Sequence, residues 1–100
     1  MASTPEAKVK AKIKKILATH GVYYAMPIGS GFGNSGVPDF LCCVNGNFLG
    51  IEAKANGNKP TALQYKHINN IKDAGGCALV VDESNIDNLS EIIRLMKEAR

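Results

Sequence analysis

No apolar run in this chain approaches the ~20 residues that a membrane span requires. The start, Met1-Ala-Ser-Thr-Pro-Glu6, lacks the basic opening and apolar stretch of a signal peptide. A cytoplasmic protein with no membrane contact is the expectation. Cysteine is scarce: Cys42, Cys43 and Cys77 form neither a CxxC pair nor a Cys/His cluster, which excludes the usual zinc and dithiol spacings. As strand neighbours, Cys42 and Cys43 would point to opposite faces, and all three read as small buried hydrophobes in a reducing compartment. Repeats, low-complexity segments and linkers are also missing, so 1–100 is expected to be a single domain.

What is present is an ordinary globular composition, 45% apolar and 21% charged. At this length stability is modest, and a partner subunit would add to it. The net charge of +3 is unevenly placed. Lys8, Lys10, Lys12, Lys14 and Lys15 stand against Glu6 alone in the first twenty residues, while the remaining eighty are close to neutral. Such a basic helix is either a surface that meets phosphate or simply a solvated lysine face.

Pro5 to about His20 reads as a helix, with Val9, Ile13, Ile16 and Leu17 at helical spacing and Gly21 as its stop. Val22 to Ile28 reads as a strand, and Gly29 to Gly36, with four glycines in eight residues, as a loop. Asp39 to Val44 and Asn47 to Lys54 are two strands joined by Asn45-Gly46, the preferred pair for a two-residue hairpin. Ala55 to Lys59 is a loop. A helix follows from about Pro60 to Ala74, ended by Gly75-Gly76; Cys77 to Val81 is a short buried strand, and Ile86 to Glu98 a closing helix. The order α-β-β-β-α-β-α predicts an α/β fold, one mixed sheet flanked by helices.

The hairpin carries an arithmetic consequence. With Asn45-Gly46 as the turn, the numbers of opposed residues add to 91, so Asp39 faces Glu52 on one side of the sheet. Two carboxylates so placed repel, and a cation must offset the cost or one of them must hold a proton. Lys54, two residues beyond Glu52, projects from the same face. Two acids and a base converging at the end of a hairpin suit Mg²⁺ or Mn²⁺, with the carbonyl of Ala53 as a further oxygen. Alternatively, Lys54 only neutralises a polar patch of sheet, and a bulged loop would break the register altogether. Glu6 falls on the inward stripe of the first helix. It reads as a fourth site acid, as half of a capping box with Ser3, or as the partner of Lys10 one turn on. Gln64 shares a stripe with Ile68 and Ile71 and could reach a phosphate or a metal-bound water, yet Thr61-Ala-Leu-Gln64 is also a capping box.

With Gly36-Val-Pro-Asp39 followed by Ile51-Glu52-Ala-Lys54, the chain resembles the PD-(D/E)xK nuclease superfamily. In spacing it most resembles the virus-type replication-repair nuclease branch, the VRR-NUC domain, over nearly the whole chain from Glu6 to the last strand. Members of that branch show an early helical glutamate, a Gly-x-Pro-Asp step, a hydrophobic-Glu-x-Lys strand and a downstream helical glutamine. Here those are Glu6, Asp39, Glu52, Lys54 and Gln64. Each motif alone is weak; their order, with a hairpin that joins the two acids, is far more specific. The resemblance implies a restriction-endonuclease-like fold and metal-dependent hydrolysis of phosphodiester bonds in DNA.

Small standalone phage or viral members of the branch include some similar in activity to Holliday-junction resolvases. This implies branched DNA as substrate, read by shape, and the host cytoplasm if the chain is phage-encoded. In the mechanism so implied, Asp39 and Glu52, with Glu6 and the Ala53 carbonyl, hold Mg²⁺ or Mn²⁺; Lys54 orients or deprotonates the attacking water, and Gln64 assists. A symmetric four-way junction needs two opposed cuts, which a two-fold homodimer supplies. Ile92, Ile93, Leu95 and Met96 on the last helix, with Tyr23, Tyr24 and Met26 on a possible edge strand, offer such a surface or else fill the monomer's own core.

Two rival classes share some of these features. Gly31-Phe-Gly-Asn-Ser-Gly36 matches the dinucleotide pattern G-x-G-x-x-G, but Val37-Pro38 and a strand follow it where that fingerprint needs a helix. The alternative that stays open is a catalytically silent DNA-binding or scaffold module with the same fold.

Overall fold

A computed structural model describes residues 4–28 and 36–99. Its elements are α1 (Pro5–Thr19), β1 (Tyr23–Ala25), β2 (Phe40–Val44), β3 (Asn47–Ala53), α2 (Ala62–Asp73), β4 (Cys77–Val81) and α3 (Leu89–Glu98), with a single 3₁₀ turn at Ile86–Asn88 leading into α3. This is the predicted α-β-β-β-α-β-α order, and the strands form one sheet in the order β1-β2-β3-β4. The first three run antiparallel, and β4 lies parallel to β3 after the α2 crossover. Among the described residues no helix is long and apolar enough to cross a membrane.

The hairpin register is the one the turn dictates. Asn45 and Gly46 have φ of 51° and 81°, the paired positive values of a type I′ turn, and Val44 pairs with Asn47 and Phe40 with Ile51. Alternation then sorts the sheet into two faces. Phe40, Cys42, Val44, Leu49, Ile51, Ala53 and Val81 point into the core with Val9, Ile13 and Leu17 of α1 and Leu89 and Ile93 of α3. Each such Ile or Leu, fully buried, contributes about 1.5–3 kcal/mol. The opposite face carries Gly50 and Glu52 and receives α2: a Cβ at Gly50 would stand 2.9 Å from Cδ1 of Ile71 and 3.3 Å from Cγ of the buried Pro38.

Four expectations need correction. The strand expected over 22–28 is only Tyr23–Ala25, because Pro27 has no N–H for the ladder and restricts Met26 before it. Asp39 and Lys54 flank their strands instead of belonging to them. Pro60 and Thr61 precede α2, where Thr61 is the N-cap, in place of opening it. Cys42 alone is buried, its thiol pushed up to about 11 by desolvation; Cys43 and Cys77 are exposed. Of the residues that suggested a partner surface, Ile93 is core and Tyr24 tilts against Phe40 with ring centroids 5.7 Å apart, but Tyr23, on the edge strand, is 80% exposed. Ser3 and most of the glycine loop lie outside the described residues.

Candidate active site

The Gly-x-Pro-Asp step has a packing reason. Gly36 sits at φ +90°, and a Cβ there would be 2.7 Å from Cγ of Leu63 and 3.0 Å from that residue's carbonyl oxygen. Only glycine lets the chain run this close to the start of α2. Pro38 then packs fully buried beside Gly50, and the chain turns into β2 with Asp39 at the bend. The motif thus docks one end of the hairpin against α2 and sets Asp39 at the sheet's rim.

Asp39 is held there by β3. Its Oδ2 accepts from the main-chain N–H of Ala53 at 2.8 Å. The N–H and carbonyl of one strand residue share an edge, so the Ala53 carbonyl is on Asp39's side of β3, beyond the first β2 partner at Phe40. On the β4 side, Lys54 N–H donates to the Val81 carbonyl at 2.9 Å, which fixes the backbone at the end of β3 from both edges.

Glu52 is the one buried charged residue among those described, 2% exposed. Its carboxyl is pushed up to about 7, first by burial and then by the charge of Asp39; Lys54 pulls it back, and Glu6 adds a smaller upward push. Lys54 Nζ lies 3.5 Å from Glu52 Oε2, with both side chains largely shielded from water. Glu52 thus lies beside Lys54 and within reach of the Asp39 charge at the end of β3.

The structure treats Glu6 and Gln64 differently. Glu6 pairs with Lys10 at 3.6 Å, and the same ammonium lies 3.4 Å from Asp39 Oδ1, so Lys10 stands between the two acids. The α1 cap is Thr4, whose hydroxyl accepts from Ala7 N–H at 3.1 Å. Gln64 closes the capping box of α2: its Oε1 accepts from Thr61 N–H at 2.9 Å while Thr61 Oγ1 accepts from Gln64 N–H at 3.2 Å. Its amide oxygen is thereby committed, and its amide nitrogen is the part left to donate.

Lys10 is the residue whose place beside Asp39 the sequence did not reveal, although it offered Lys10 as the partner of Glu6. The signal was there, since Lys10, Ile13 and Leu17 recur at i, i+3 and i+7 on the buried stripe.

The donor set fits a hard divalent ion. Among the described residues no three Asp, Glu, His or Cys side chains are gathered as a ready metal cage. Two carboxylates with a main-chain carbonyl, completed by water and phosphate oxygens, is the sparse protein coordination that Mg²⁺ usually takes. Two acids near each other, one of them buried, are also the arrangement a cation would relieve.

A solved structure described as a VRR_NUC domain protein is similar to this chain at a TM-score of 0.66 and 21% identity, over 98% of this chain and 92% of its own. The two share a fold. No protein-family model and no curated protein matches the chain.

Proposed function

We propose that this protein is an Mg²⁺- or Mn²⁺-dependent DNA endonuclease of the VRR-NUC type, acting on branched DNA such as four-way junctions. The observation that carries the reading is Glu52: a carboxylate 2% exposed, facing Asp39 and paired with Lys54 at the open end of a sheet. Burying an acid beside another acid is costly for a fold, and a ligand that neutralises both gives the cost a purpose. The shared fold with a VRR_NUC domain protein and the order of the motifs support the same reading.

The bound ion would supply polarisation of the scissile phosphate and a water of lowered pKa. Asp39, Glu52 and the Ala53 carbonyl are the oxygens that would hold it. Lys54, fixed against Glu52, orients the attacking water and sets a positive charge where the phosphate gains negative charge. Gln64 can donate from its amide nitrogen to a neighbouring phosphate oxygen without leaving its capping bond. The exposed Lys8, Lys12, Lys14 and Lys15 of α1 are suited to flanking phosphates. Branched-DNA selectivity and a homodimer of paired cuts are parts of the proposal; the exposed Tyr23 edge and the half-exposed Leu95 support the homodimer.

Purified protein incubated with linear, flap and four-way DNA, with Mg²⁺, Mn²⁺ or EDTA, tests the reading. Metal-dependent cleavage of the branched substrates, absent in Asp39→Asn, is the expected outcome. DNA binding with no cleavage under any cation would instead favour a silent DNA-binding module. Sedimentation at micromolar concentration checks the dimer; a monomer that only nicks flaps would overturn the junction assignment.

A further inference from the structure

Asp39 has two oxygens with different fates. Oδ2 is tied to the Ala53 main-chain N–H at 2.8 Å, so it is committed to the end of β3. Oδ1 is the oxygen left to face the site, and the Lys10 ammonium lies 3.4 Å from it. Lys10 is half-buried on the inward stripe of α1 and also lies 3.6 Å from Glu6 Oε2, one turn earlier on its own helix.

We infer that Lys10 is a built-in counter-cation that competes with the divalent ion for Asp39 Oδ1, and that Glu6 is the seat to which it retreats. The inference rests on the metal-dependent reading of the same site. A divalent ion at Oδ1 and an ammonium within ion-pair distance of that oxygen repel each other strongly. Loading the ion therefore requires Lys10 to give up Asp39. Glu6 makes that displacement cheap, because rotamer changes alone shift the ammonium toward it while α1 stays in place. A DNA phosphate entering the site offers Lys10 a second alternative partner. Metal and DNA then favour each other's binding, since each removes an obstacle to the other.

This role differs from that of a metal ligand, and substitutions separate the two. The measurement is Mn²⁺ affinity of the whole protein by titration calorimetry, with no DNA and no turnover. Lys10→Gln should bind Mn²⁺ roughly three- to tenfold more tightly than wild type, a range set by a partly exposed ion pair and the lost repulsion. Lys10→Arg, which keeps the charge, should bind like wild type and so controls for changes in helix packing. Glu6→Gln should weaken Mn²⁺ binding clearly more when Lys10 is present than in the Lys10→Gln background, where only its small through-space push on Glu52 is lost.

Unchanged or weaker binding in Lys10→Gln overturns the inference while the metal site stands. An equal loss from Glu6→Gln in both backgrounds also overturns it, because Glu6 would then be a ligand in its own right. If neither wild type nor Lys10→Gln binds Mn²⁺, the metal-dependent reading falls and takes the inference with it. Binding by Lys10→Gln alone would support both.

Discussion

Asp39 Oδ2 accepts a hydrogen bond from the main-chain N–H of Ala53, fourteen residues away in sequence and next to Glu52. The bond makes the first acid of the site part of the end of β3. The relative placement of Asp39 and Glu52 is therefore as rigid as the hairpin that joins them. It also has a consequence for substitution: asparagine keeps an acceptor for that N–H, so Asp39→Asn removes charge without removing the anchor.

Asp39→Asn should accordingly fold like wild type and lose cleavage by at least about a hundredfold, the usual cost of deleting one electrostatic contact to the transition state. The thermal stabilisation that Mg²⁺ or Mn²⁺ gives the wild type should vanish with it. Thermal melts with and without metal check this, and equal metal stabilisation in the variant would remove Asp39 from the ligand set.

Metal-free stability should depend on pH through Glu52. Folded Glu52 holds its proton up to about pH 7, whereas in the unfolded chain it loses it near the ordinary glutamate value of 4.5. Between these values the folded protein binds more protons, so stability falls as pH rises, by on the order of 3 kcal/mol in total, and levels off above pH 7. Glu52→Gln should flatten that slope and melt higher than wild type at pH 8 in EDTA. Denaturant unfolding at pH 5 and pH 8 measures both effects; a wild type more stable at pH 8 would contradict the burial argument.

For the same reason metal affinity should fall toward acid. Binding to a Glu52 that is protonated below about pH 7 must expel a proton, so the apparent Kd for Mn²⁺ should rise up to roughly tenfold per pH unit below that point. Calorimetry in buffers of different ionisation enthalpy counts the released proton directly.

Lys54→Ala should abolish cleavage while leaving most DNA affinity in place, since one ammonium among twelve basic residues contributes little to phosphate binding. Its stability cost should be bounded. Glu52, deprived of its counter-charge, can take up a proton, which at pH 8 costs on the order of 1 kcal/mol for a group pushed up to about 7. Wild-type cleavage rates in this variant would exclude Lys54 from the chemistry.

Gly36→Ala should destabilise the fold by about 2–3 kcal/mol, combining the steric clash with Leu63 and the cost of a positive φ for a residue with a side chain. Chemical denaturation reports the loss. A neutral result would mean that the Gly36 segment and α2 separate without consequence for the core.

Some of this was written in local chemistry. Asn45-Gly46 admits essentially one tight hairpin, and that hairpin sets the register that brings positions 39 and 52 to the same end of two strands. Helical spacing placed Val9, Ile13 and Leu17 in the core, and Thr61 and Gln64 satisfied each other within one turn. These are short-range relations, decided by φ preference, periodicity and hydrogen bonds three residues apart. What the chain alone left open depended on groups distant in sequence. Whether Glu6 met the site acids, paired with Lys10 or capped its helix was undecided until α1 packed against the sheet and carried Lys10 to Asp39. The burial of Glu52, and with it a carboxyl that ionises near neutrality, follows from how α1 and the neighbouring strands β2 and β4 pack against β3. Charge and burial act through space, and only the packed fold sets those distances.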